Sequence, residues 1–85
     1  LWKTWTPEQW QAHEEMVVQA LGCTPSEAKL AQSLMVGIDL HAHAKKEGIA
    51  YNTGRRHLQS LFDKTETSSQ VELVRRLIQT FGLLK

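Results

Sequence analysis

Leu58, Leu61 and Phe62 fall at i, i+3 and i+4, so a helix drawn through them turns Asn52, Arg55, Arg56 and Gln59 away from its apolar side. Those four side chains have the chemistry to read base edges. Arginine can grip guanine O6 and N7 together, and asparagine or glutamine can do the same at adenine N6 and N7. A solvated helix face would carry the same residue types, so the face must be placed by the elements around it.

Upstream, Ala44 lies four residues before Gly48, and its small side chain lets a second helix cross the first closely. Gly48 can take the left-handed conformation that ends one helix and aims the next, and Ile49 plugs the corner. Residues 39 to 65 therefore read as a helix-turn-helix, the second helix spanning about residues 51 to 64. Capping signals delimit the remaining helices. Thr6-Pro7-Glu8-Gln9 opens a helix that runs to about Leu21 before Gly22, and Thr24-Pro25-Ser26-Glu27 opens another that stops before Gly37. Asp39 caps a third helix to Glu47. Ser69 and Glu72 form an S-x-x-E box, with Val74, Leu77, Ile78 and Phe81 along one side of a last helix that Gly82 closes. No strand pattern competes, and the expectation is an all-α domain without internal repeats.

The chain of 85 residues suffices for one domain with a modest core. Its apolar runs are too short for a transmembrane span, and no signal segment opens it, so a cytoplasmic protein is expected. The net charge of +1 hides a polarity: five acidic against two basic residues through position 44, and eight basic against four acidic from 45 onward. Phosphate attraction would use such a bias toward the helix-turn-helix half. Cys23 is the only cysteine, which excludes an internal disulfide and suggests a buried small hydrophobe. The four histidines and Cys23 match no zinc spacing, and His57 reads as a half-buried helix histidine rather than a base. No nucleophile, base and orienter can be assembled and no glycine-rich phosphate loop is present, so neither an enzyme nor a cofactor is expected.

The string TPSEAKLAQSLMVGIDLHAHAKKEGIAYNTGRRHLQSLFDKTETSSQVELVRRL, residues 24 to 77, resembles the LuxR-type helix-turn-helix of bacterial transcription regulators. The shared marks are Thr24-Pro25 with Glu27, Gly37, Ala44, Gly48-Ile49, Asn52-Thr53, Arg55, His57-Leu58, Phe62, Lys64-Thr65 and Glu72-Leu73-Val74. The resemblance implies four core helices at residues 23 to 82; an extra N-terminal helix at 1 to 22 and a tail at 83 to 85 lie outside it. It implies sequence-specific binding of double-stranded DNA, with Arg55, Arg56 and Gln59 meeting bases and Thr53 and Lys64 meeting phosphates. Asn52 is a further base candidate, and Lys45 and Lys46 are further phosphate candidates. It also implies a homodimer through residues 69 to 81, where Val74, Leu77, Ile78 and Phe81 would form the contact.

The chain departs from that pattern at four positions. His43 and Glu47 stand where the family usually has aliphatic residues, and their i, i+4 spacing allows a pair at the rim of the fold. Gly54 replaces Val or a small residue at a helix-interior cost of about 1 kcal/mol. Ala50 replaces a capping Ser or Thr at a cost of about 1 kcal/mol, unless Asn52 caps a shorter helix. A marginally ordered reading helix is expected in the absence of DNA. The alternative is a degenerate domain that grips RNA polymerase or another regulator instead of DNA. Trp2, Trp5 and Trp10, with Met16, Val17, Ala20 and Leu21, either complete the core or bury against a second protomer or an upstream sensor domain. Because the chain begins at Leu1, a fragment of a larger regulator is expected.

Overall fold

The computed structural model describes residues 4 to 81, which form five helices and, among the described residues, no strand. These are α1 (Pro7–Leu21), α2 (Pro25–Met35), α3 (Leu40–Glu47), α4 (Tyr51–Thr65) and α5 (Gln70–Phe81). Three starts follow the capping signals closely. Thr6 with Gln9 and Thr24 with Glu27 form reciprocal capping boxes, and Asp39 accepts from the Ala42 N–H. The fourth signal is shifted by one residue in one arm. The Ser69 hydroxyl accepts from the Glu72 N–H, but the Glu72 carboxylate reaches the Ser68 N–H at 2.9 Å. Gly82, expected to end α5, and Trp2 lie outside the described residues.

Helix α2 is the hub, packing against all four others. Its Ala28, Leu30, Ala31, Leu34 and Met35 join Val17, Leu40, Leu61, Leu73, Leu77 and Phe81 in one apolar cluster. Cys23 belongs to that cluster, and burial pushes its thiol above its usual range. Helix α1 and the residue Trp5 before it contribute to the core. Val17 is fully buried, and Trp5 and Trp10 are half-buried with ring centroids 4.9 Å apart. His13 sits among Trp5, Trp10 and Phe81, at 5.4, 6.1 and 6.0 Å between centroids.

Two of the residues expected to weaken the fold have structural partners. A Cβ on Gly54 would lie 3.0 Å from Leu40 Cδ1 and 3.8 Å from Ala44 Cβ, so the missing side chain is the space into which α3 packs. His43 does not pair with Glu47. It is 2% exposed, and its Nδ1 lies 2.7 Å from the Ser33 hydroxyl of α2, while Glu47 is exposed. A polar residue is tolerated here because its ring nitrogen is hydrogen-bonded, which removes most of the cost of burying it. The expected capping by Asn52 is absent: α4 starts at Tyr51 behind Ala50, with no side-chain cap.

Candidate nucleic-acid interface

The geometry of the α3–α4 unit follows from its turn. Gly48 adopts φ +69°, and the Ile49 N–H donates to the Ala44 carbonyl at 3.0 Å, so α3 ends abruptly and α4 begins three residues later. Beyond the turn, Leu61 is fully buried, and Leu58 and Phe62 pack against the core. That anchoring leaves the opposite side of α4 in solvent. Asn52, Arg55, Arg56 and Gln59 are all exposed there, and together they line one shallow, open depression.

The cations among the described residues differ in whether a partner holds them. Lys29 pairs with Glu14 at 3.1 Å, Lys64 pairs with Glu27 at 3.1 Å, and Arg76 donates to the Thr65 carbonyl at 3.2 Å. Arg55 and Arg56 have no ion pair or hydrogen bond among the described residues, and neither do Lys45 and Arg75. Gln59 is held lightly, donating to Asp63 one turn further on at 3.3 Å. A free guanidinium on a fixed helix keeps its fork of donors for an acceptor outside the chain.

The phosphate candidates separate. Lys45 is exposed and unpaired, and Thr53 is half-buried beside the α4 face. Lys46 lines a different surface, a cleft of about 470 Å³ between α1, α2 and α3 whose walls include Trp10, Gln32, Ile38 and Glu47. Lys64 is already engaged: it donates to Glu27 of α2 and to Ser60 at 2.7 Å. Burial alone would raise the Glu27 carboxyl, but hydrogen bonds from Ser60, the Thr24 N–H and Lys64 hold it below the usual carboxylate range. Lys64 is thus a clamp between α4 and α2, which its place at the end of α4 gave no reason to expect.

The dimer candidates also divide. Leu77 and Phe81 are buried in the chain's own core, and Val74 and Ile78 are half-buried against it. The apolar stripe of α5 therefore faces α2 and α4, and what it leaves outside is Val71, 70% exposed, with Arg75. The helical spacing that marked the stripe could not tell an intramolecular partner from a second chain.

Sequence reasoning missed the polar pair on α2. Gln32 and Ser33 are both buried and hold one histidine each: Gln32 Nε2 lies 2.8 Å from His13 Nδ1 and 3.1 Å from the Trp10 carbonyl, and Ser33 takes His43. With the carboxamide donating, His13 carries its proton on Nε2, which has no partner among the described residues. Burial holds both His13 and His43 below the usual histidine range. No group of three or more His, Cys, Asp and Glu suited to a metal occurs among the described residues, and no helix there is long and apolar enough to cross a membrane. Compared with known proteins, the chain matches no family, no curated protein and no solved structure.

Proposed function

We propose that this chain binds double-stranded DNA sequence-specifically, with α4 in the major groove, as the DNA-reading module of a bacterial transcription regulator. The observation that carries the reading is the exposed face of α4. There two unpaired arginines stand beside Asn52 and Gln59 on a helix whose other side is anchored in the core. The LuxR-type resemblance of residues 24 to 77 supports the same reading. Asn52, Arg55, Arg56 and Gln59 take the base edges, while Thr53 and Lys45 take phosphates. Lys46 and Lys64 are left out, because one lines another cleft and the other is spent on Glu27.

The homodimer belongs to the proposal through the solvent side of α5, with Val71 at its centre and the exposed edges of Val74 and Ile78 beside it. Such a pair would set two reading helices one turn of DNA apart. The module would work at the nucleoid, in the cytoplasm, under an upstream sensor domain or in contact with RNA polymerase. It performs no catalytic step and needs no cofactor.

Selection from a pool of random duplexes at two salt concentrations tests this directly. The expected result is enrichment of a two-fold symmetric site whose affinity falls steeply as salt rises, because phosphate contacts release counterions. Unselective binding, or none at either salt, would overturn the proposal and favour a protein partner.

A further inference from the structure

Among the described residues only Met16, Tyr51 and Val71 are large hydrophobics left exposed, and Tyr51 is the one on the reading helix. It is the first residue of α4, and the positions 51, 52, 55, 56 and 59 succeed one another at i, i+1, i+4, i+5 and i+8. Tyr51 is therefore the N-terminal member of the stripe that carries Asn52, Arg55, Arg56 and Gln59. Its ring has one aromatic neighbour. His41, exposed on α3, sets a tilted imidazole beside it with ring centroids 5.9 Å apart and planes at 51°. An aromatic surface, 47% exposed and flanked by His41, thus stands at one end of an otherwise polar face.

The major groove offers one apolar feature to such a surface, the 5-methyl group of thymine. Nothing else on the stripe is apolar enough to sense it: asparagine, arginine and glutamine read donors and acceptors. We propose that Tyr51 reads a thymine methyl at the edge of each half-site, beside the base pair met by Arg55, and that His41 is the residue that positions the ring. This rests on the DNA reading above and adds a specificity determinant to it. The ring, not the phenolic hydroxyl, is the reading group, so phenylalanine should serve in its place.

The test uses the duplex selected by the whole chain, with each thymine of the half-site replaced in turn by uracil, which removes the methyl group and nothing else. At one position the unaltered protein should lose affinity about three- to tenfold, the size expected for burying a methyl against a ring. Tyr51→Ala should lose a similar factor on the thymine duplex and become indifferent to uracil there. Tyr51→Phe should keep the full response, and His41→Ala should blunt it. Both altered positions are exposed, so helix content by circular dichroism should match the unaltered chain. If Arg55→Ala relaxes the preference at one base pair but Tyr51→Ala binds normally and no thymine responds to uracil, the Tyr51 assignment is overturned while the DNA reading stands. If the unaltered chain selects no sequence at all, both fall together.

Discussion

Arg55 and Lys64 sit on the same helix, yet a carboxylate lies 3.1 Å from Lys64 and none pairs with Arg55 among the described residues. That difference separates the two substitutions. Arg55→Ala should leave thermal stability unchanged, cost about 1 to 3 kcal/mol of DNA affinity and relax the preference at one base pair. Lys64→Ala should instead lower stability by about 1 kcal/mol, because it removes the only cation paired with a Glu27 carboxylate that is 9% exposed, among the described residues. Melting curves and binding titrations on both variants check the pair, and a stable Lys64→Ala protein with uniformly weakened DNA binding would restore Lys64 to the phosphate contacts. The arginine face was legible in the sequence because its determinants, Leu58, Leu61 and Phe62, are local. The duty of Lys64 was not, because its partner lies 37 positions away on another helix.

At the scale of elements, the same boundary between local and distant determinants recurs. Four helix starts were readable from Thr6, Thr24, Asp39 and Ser69, since a cap and the N–H it serves lie within three residues of each other. Gly54 was misread for the opposite reason. As an isolated helix residue it looks costly, but 14 positions earlier Leu40 sends Cδ1 to within 3.0 Å of where a Cβ would stand. The α3–α4 crossing is therefore a complementary pair, with a large residue on one helix and none on the other. Gly54→Val should overpack it and destabilise the fold by about 1 to 3 kcal/mol. Leu40→Ala alone should also destabilise, by leaving a cavity. Combined, the two should cost less than the sum of the single changes, as expected for residues that share one space. Chemical denaturation of the four proteins supplies the cycle, and strict additivity would refute the complementarity.

For the whole molecule, the consecutive residues Gln32 and Ser33 make α2 a two-sided latch. Gln32 holds His13 of α1 beneath the aromatic cluster, and Ser33 holds His43 of α3. Both histidines are kept below their ordinary range chiefly by burial. Around His43, Lys46 and His57 push the same way and Glu47 opposes them. The sign of the pH effect follows. The unfolded chain takes up these protons near the ordinary histidine value of about 6.5, whereas the folded chain resists until lower pH. Stability is therefore fully present above about pH 6.5 and is lost as pH falls toward the folded values, by up to about 1.4 kcal/mol per pH unit for each histidine. Glu27 adds a separate loss at lower pH, since its carboxyl is held below the usual carboxylate range and must take up a proton on unfolding. Melting temperatures measured from about pH 7.5 to 5 should begin to fall near 6.5. His13→Leu and His43→Gln should each remove one proton from the slope, even where the substitution itself lowers the plateau. A flat profile in the unaltered chain would mean that both histidines are protonated without opening the contacts to α2. A slope that survives both substitutions would place the acid sensitivity elsewhere.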